Sequence, residues 1–254
     1  MHLFDAQVRF GQSLFGYRLD WDTLQERMRA LHMGRALLVP VRPPSHGLAD
    51  ANRLVAATVA RDPERLSGLV RVDPWLGAKA IDDLVEGIEM LGLVGLYLDP
   101  WEDHFVVSEP LIDPLVRRAV ELGVPVMING GYPVVSHPSQ ILAVAQRHPD
   151  ATFIATHGGQ INISGLLLGD AQRMMQGAPN IIFETSGVYR EDFIEDCITE
   201  FGASRVIFGS GAPVFDQAFE AMRVHHAHVS DGVKRQIGWE NSQKLFVRTT
   251  RSDR

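Results

Sequence analysis

Phe4-Asp5-Ala6-Gln7-Val8-Arg9-Phe10-Gly11 alternates apolar and polar side chains near the start of the chain. A period of two reads as a strand, and in a strand residues 5, 7 and 9 share one face. Further short runs rich in Val, Ile, Leu and Phe begin near Arg35, Leu66, Leu93, Val124, Thr152, Ile181 and Val206. Each is followed by a stretch with helical spacing, the pattern of repeated strand and helix units. Parallel strands in that number close a barrel, whereas an open doubly wound sheet usually has fewer. The predicted fold is therefore α/β, a (β/α)8 TIM barrel, with residues 1–254 as a single domain.

The helices fit that count. Asp22 and Gln25 suggest a capping box, and Leu24, Met28 and Leu31 follow as one apolar stripe ending near Gly34. Pro110 suits a first helical turn, and Leu111, Leu115, Val116 and Ala119 trace an inward face up to Gly123. Similar spacing predicts helices over 77–91, 138–147, 164–176, 191–201 and 215–229, with a short C-terminal helix near 239–247. Loops are expected at 10–20, 40–48, 99–109 and 130–137; all follow strands, so they crowd the C-terminal mouth, where such barrels carry their chemistry.

Composition narrows the partners. The 254 residues are 45% apolar and hold 24 Lys plus Arg against 31 Asp plus Glu, a formal charge of -7. That balance opposes attraction to phosphate backbones and anionic lipid, so neither nucleic acid nor membrane is an expected partner. No apolar run reaches the ~20 residues of a membrane span, and Met1-His2-Leu3-Phe4 does not open like a secretion signal, so a cytoplasmic protein is expected. Cys197 is the one cysteine, which excludes an internal disulfide; acidic neighbours disfavour its thiolate, and it reads as a buried helix residue. No G-x-S-x-G elbow, P-loop or dinucleotide fingerprint occurs in the required setting, and Ser210 has no base near it in sequence.

The strand ends resemble the amidohydrolase-related branch of the amidohydrolase superfamily, which includes hydrolases, lactonases and nonoxidative decarboxylases. Its first strand typically reads D-x-H-x-H, the fifth ends in His, the sixth reads H-x-G-G and the last G-S-D-x-P. Here the counterparts are Asp5-Ala6-Gln7-Val8-Arg9, Val126-Met127-Ile128-Asn129-Gly130-Gly131, Ile154-Ala155-Thr156-His157-Gly158-Gly159 and Ile207-Phe208-Gly209-Ser210-Gly211-Ala212-Pro213. Arg71-Val72-Asp73-Pro74, the stretch from Pro179 to Gly187 and Asn241 to Phe246 add to the likeness, which spans nearly the whole chain. It implies the barrel, a site at its mouth and, from family habit, a homodimer.

The departures argue against the family's metal. A catalytic zinc needs about three imidazole, carboxylate or thiolate ligands. Of the corresponding positions only His157 qualifies: Gln7 and Asn129 offer neutral carbonyls, Gly211 has no side chain, and Arg9 brings a fixed cation. A guanidinium about 4 Å from a divalent ion is repelled by roughly 8 kcal/mol at an effective dielectric near 20. The reading is no metal and no cofactor; the rival is another metal site assembled from His157, Glu184, Asp99 or His104.

The candidate catalytic residues are His157, Arg9 and Glu184, with Gln7, Asn129, Asp99, Tyr97 and Asp73 as candidate substrate contacts. Arg9 either binds a substrate carboxylate or carbonyl, or is held in an internal ion pair with Asp5, Asp73, Asp99 or Glu184. His157 is able to exchange protons near neutral pH, and Glu184 to orient it, accept a proton or hold Arg9. Trp101, His104 and Phe105 form either an aromatic lid or a packed loop. The first functional expectation is metal-independent hydrolysis of a lactone or ester on a small carboxylated or carbonyl-containing molecule, with Arg9 at the oxyanion, His157 as base, and Glu184 or Asp99 orienting it. The alternatives are a noncatalytic binding or scaffold subunit and a nonoxidative decarboxylase.

Overall fold

The computed structural model describes residues 2–160, 167–188, 190 and 192–247. Its strands are β1 (Leu3–Gln12), β2 (Arg18–Leu19), β3 (Met33–Pro40), β4 (Leu66–Gly68), β5 (Val70–Arg71), β6 (Leu96–Leu98), β7 (Val126–Ile128), β8 (Phe153–Ala155), β9 (Ile181–Glu184) and β10 (Val206–Ile207). The helices are α1 (Trp21–Ala30), α2 (Leu48–Val59), α3 (Ala78–Val85), α4 (Asp113–Glu121), α5 (Pro138–Arg147), α6 (Leu168–Gly177), α7 (Phe193–Phe201), α8 (Gln217–His226), α9 (Asp231–Arg235) and α10 (Asn241–Phe246).

All the pairings but the β1–β2 arm are parallel, in the orders β2-β1-β3-β4 and β10-β9-β8-β7-β6-β5. Backbone bonds join the two runs at both edges. Leu69 N donates to Leu38 O across the β4–β5 break. Ala6 N donates to Phe208 O, Arg9 N to Ala212 O and Gly211 N to Gln7 O between the first and last strands. The chain thus closes as the α/β TIM barrel expected from its repeated units.

Two apolar layers result. Phe4, Ala6, Leu37, Val39, Leu69, Tyr97, Met127, Ile154 and Ile207 fill the barrel interior, with Phe246 and Trp239 packed beneath. The larger cluster lies outside the strands and receives the helix stripes, including Leu24 and Met28 of α1 and Leu115, Val116 and Ala119 of α4. Cys197 is buried on α7, and burial pushes its thiol well above the ordinary range, so it is packing rather than chemistry.

Several local expectations need correction. The cap of α1 is Asp20, whose side chain accepts from Thr23 N, in place of an Asp22 box. α2 follows the 40–48 loop and had not been located, although Leu48, Ala51, Asn52, Val55 and Thr58 are buried at helical spacing. Residues 10–20 are no open loop: Gly11 pairs with Leu19 and Gln12 with Arg18, forming an antiparallel arm that carries Tyr17 over the mouth. Residues 164–166 and 191, the starts expected for two helices, lie outside the described residues; α6 and α7 are described from Leu168 and Phe193.

The most consequential correction concerns β1. Asp5 pairs with Ala36 but Val8 with Leu38, so β1 gains one residue on β3 between those points. Such a bulge breaks strict alternation. Phe4 and Ala6 face the interior, while Asp5 turns outward to accept from Ser210 N (2.8 Å), Ser210 Oγ (2.6 Å) and Gln217 Nε2 (2.7 Å) of α8. Residues 5, 7 and 9 therefore do not share a face.

Candidate functional site

The mouth is built from strand ends, and it divides into an ionic half and a hydrogen-bonded half. In the ionic half, Arg9 reaches Glu102 Oε1 (3.4 Å), Asp99 Oδ2 (3.5 Å) and the Tyr17 hydroxyl (3.2 Å). Tyr17 also donates to Glu102 Oε1 (2.9 Å), so the β1–β2 arm pins the same carboxylate that Arg9 uses. Arg71, wholly buried at the end of β5, donates to Glu102 Oε2 (2.7 Å) and as a fork to Asp103, which Arg42 also meets at 2.7 Å. Burial works against the Arg9 cation, but Tyr97, Tyr17, Asp99 and Glu102 around it outweigh that and hold it charged. Burial likewise raises Asp99, yet Arg71 and then Arg9 keep it below the usual carboxylate value.

The predicted residues fall on both sides of this network. Arg9 takes the ion-pair alternative, with Asp99 among the expected partners and Glu102 an unexpected one. Tyr97 is buried and donates to Asp99 Oδ2 (3.0 Å), which makes it a support for that carboxylate. Asp73 stands apart on the rim, accepting from Arg42 Nη2 (3.3 Å) and from Trp75 N (3.1 Å). As for the aromatic loop, Trp101 of the 99–109 segment stacks on Tyr132 at 5.0 Å and 10°, and Trp101 is 51% exposed while Phe105 is buried in the core.

The hydrogen-bonded half centres on Ser186, which sequence reasoning passed over. Its hydroxyl lies 2.7 Å from Gln7 Oε1, 2.8 Å from Glu184 Oε2 and 2.9 Å from His157 Nδ1. His157 Nε2 lies 3.0 Å from Asn129 Oδ1, which also accepts from Thr156 Oγ1 (3.3 Å). The hydroxyl has one proton for three neighbours. With the His157 proton on Nε2, facing Asn129 Oδ1, a proton on Glu184 lets Ser186 accept from the carboxyl, and the hydroxyl's own proton is shared between Gln7 Oε1 and His157 Nδ1. Burial acts in the same direction, pushing Glu184 up to about 8 against the hydrogen bonds from Ser186 and His157 N. Burial, and then Arg9, push His157 down to about 4, so at neutral pH the pair is a protonated acid and a neutral imidazole.

Backbone shape fixes this arrangement. His157, Gly158 and Gly159 all take left-handed dihedrals (φ 58°, 59° and 71°), turning the chain sharply off β8. For a histidine that conformation costs on the order of 1–3 kcal/mol, and strain of this kind collects at functional sites. At Gly209 a Cβ would stand 2.3 Å from Glu184 Oε1, so only glycine there lets the carboxyl fold beneath Ser186. Phe215 covers the other side: its ring edges onto His157 at 5.5 Å and fills the space above Gly187 and Gly211.

Three donors at the mouth have no partner within hydrogen-bond distance among the described residues: Gln7 Nε2, Arg9 Nε and Asn129 Nδ2, the last turned toward the Asp99 carboxylate that it helps keep ionised. Each is buried, and an unsatisfied buried donor costs about 1–3 kcal/mol, a cost that an acceptor-rich ligand would remove. The role given to His157 as base for water meets an obstacle, since both ring nitrogens already have partners and the imidazole is only 2% exposed.

The family model described as Amidohydrolase matches residues 22–248. The chain belongs to the amidohydrolase family. A gamma-resorcylate decarboxylase of Polaromonas sp. (strain JS666 / ATCC BAA-500) is 33% identical over 67 residues, which is 26% of this chain and 21% of that protein. The chain thus aligns with about a fifth of that relative's length. Two solved structures share the fold: 5-carboxyvanillate decarboxylase from Sphingomonas paucimobilis (TM-score 0.77, 18% identity, 98% of this chain and 99% of that one), and a dihydroxybenzoic acid decarboxylase from Polaromonas sp. JS666 with bound manganese and 2-nitroresorcinol (TM-score 0.71, 17% identity, 96% of each). Expected hydrolysis gains no support from these likenesses.

The metal of such relatives does not fit the residues present here. Gln7 Oε1 and Asn129 Oδ1 already accept hydrogen bonds, His157 is engaged at both nitrogens, Arg9 adds a cation, and Phe215 fills the space beside Gly211. Among the described residues, no group of three or more His, Cys, Asp or Glu is arranged to hold an ion. Among them, too, no helix is long and apolar enough to cross a membrane.

Proposed function

We propose that this protein binds a small hydroxylated aryl carboxylate at the barrel mouth and releases CO2 from it without a redox change. The observation that carries this reading is a set of three buried donors, Gln7 Nε2, Arg9 Nε and Asn129 Nδ2, with no hydrogen-bond partner among the described residues, around a proton-bearing Glu184–Ser186–His157 chain. The donors suit the carboxylate and a neighbouring hydroxyl oxygen of the substrate. A proton passes from Glu184 through Ser186 Oγ to His157 Nδ1 and leaves from His157 Nε2, which the substrate must take over from Asn129 Oδ1, to the ring carbon that bears the carboxylate. There a C–H bond forms, the C–C bond breaks, and its electron pair restores the aromatic ring as CO2 leaves. Solvent returns the proton to Glu184. The kinship with decarboxylases supports this reaction over hydrolysis.

The experiment incubates chelator-treated protein with hydroxybenzoates and carboxylated methoxyphenols, following CO2 and the decarboxylated phenol while ligand-induced thermal shift reads binding. Release that disappears in Ser186→Ala supports the proposal. Binding without release favours the noncatalytic binder, a reading to which the near-complete burial of His157 lends weight. Neither binding nor release refutes both.

A further inference from the structure

We infer that side-chain bonds have taken over the mechanical work of a divalent ion, cross-linking the strand ends of this barrel so that it neither requires nor accepts a metal. The bonds form a circuit. Gln7 on β1 meets Ser186 beyond β9, Ser186 meets His157 beyond β8, and His157 meets Asn129 beyond β7, at 2.7, 2.9 and 3.0 Å. Asn129 N donates to Leu98 O at the end of β6, next to Asp99, and Asp99 pairs with Arg9 back on β1. β10 joins through Gly211 N, which donates to Gln7 O. A metal would tie strand ends together through ligands that converge on one point; here the same ends are tied by a chain of neutral hydrogen bonds closed by one ion pair.

Three features make the exchange hard to reverse. The carbonyl oxygens of Gln7 and Asn129 face donors inside the circuit, so an ion would have to displace hydrogen bonds before gaining ligands. The Arg9 guanidinium supplies positive charge already balanced by Asp99 and Glu102. Beside Gly211, where the family carries an aspartate, a Cβ would come within 2.8 Å of the Phe215 ring, and at Gly187 within 2.5 Å. Replacing the aspartate with glycine and filling the space with phenylalanine are parts of one change. The inference rests on this geometry and not on the reaction proposed above, and its readouts are metal content and melting, so failed turnover leaves it standing.

The test uses the full chain, stripped with chelator and then offered Mn2+, Zn2+ or Mg2+ separately. Expected are substoichiometric metal after desalting and an unchanged thermal midpoint with chelator or with each ion. Ser186→Ala, which breaks the circuit at its hub, is expected to lower the midpoint, with no recovery on adding any of the three ions. Stoichiometric metal in the wild type that is lost in His157→Ala, a midpoint that drops with chelator, or an unchanged midpoint in Ser186→Ala would each overturn the inference.

Discussion

Glu184→Gln separates a protonated carboxyl from an ionised one, because glutamine copies the acid form at Ser186: its oxygen accepts from Ser186 N as Glu184 Oε1 does (2.6 Å) and its amide donates to Ser186 Oγ, while the loss of the 3.3 Å acceptor for His157 N is independent of pH. The folded chain keeps the Glu184 proton up to about pH 8, whereas the unfolded chain releases it near the ordinary value of 4.5. Stability from this group is therefore complete below the unfolded value and is lost as pH rises through about 8. Each pH unit in that window removes about 1.4 kcal/mol, so from pH 6.5 to 8 the wild type loses about 2 kcal/mol relative to the variant. Urea denaturation of both proteins at half-unit steps from pH 6.5 to 8.5 measures this difference, and Glu220, pushed by burial to about 7, cancels because both chains contain it. A wild-type minus variant stability that stays flat across the window would mean Glu184 is ionised in the fold, and both the proton count around Ser186 and the relay drawn from it would fail.

Other perturbations probe the same mouth. His157, pushed down to about 4, contributes stability that is present above pH 6.5 and lost as pH falls through 4. His157→Asn, which tolerates the left-handed backbone, is expected to remove about 3 kcal/mol of that acid sensitivity in denaturation series between pH 6.5 and 4.5. Arg9→Met leaves Asp99 and Glu102 with Arg71 as their remaining cation and is expected to cost about 3 kcal/mol, the low end for a broken buried pair, partly recovered by adding Asp99→Asn; a loss below about 1 kcal/mol in chemical denaturation would show the pairs are not engaged. Removing Arg9 thus tests stability as well as chemistry. Gly209→Ala drives a methyl into Glu184 Oε1 and is expected to cost about 2–4 kcal/mol, with much of it relieved in the Glu184→Ala background; additive losses in that double-mutant cycle would contradict the close approach.

The two halves of the mouth differ in what they are free to do. Arg42, Arg71, Asp103 and Glu102 are engaged with one another and with Arg9, and unpairing any one strands a buried charge, so this half behaves as a rigid wall. The Ser186 half is made of groups near neutrality, where moving a proton leaves no net charge stranded. Its two titrating members are shifted in opposite directions by the same burial, Glu184 up and His157 down, which places the acid form of one beside the base form of the other across the neutral range. The ionic wall acts on this pair through the Arg9 charge, which disfavours imidazolium and so keeps the proton from resting on His157.

How much of this was legible in the sequence follows from which interactions are local. The barrel was readable because each strand and helix unit carries its own periodicity, and α5 falls over Pro138–Arg147 as its spacing predicts. Asn129, His157 and Glu184 were readable because each stands at or just beyond a strand's C-terminal end. Arg71 bore the same signal, a charge closing an apolar run, and Glu102 and Asp103 follow Asp99 in one loop; their pairing was hidden because it joins positions separated by 31 and 32 residues. Ser186 had no signal at all, since a hydroxyl among glycines and threonines reads as a turn until Gln7, 179 residues away, is placed against it. The bulge in β1 is the sharpest case. Alternation reports only a chain's own side-chain pattern, whereas a bulge is set by how the partner strand's hydrogen bonds are shared, and β3 contributes nothing to the letters of Asp5 to Val8. One inserted residue sent Asp5 outward to Ser210 and Gln217 and brought Gln7 to Ser186, which is why the circuit passes through a glutamine and leaves the aspartate holding α8.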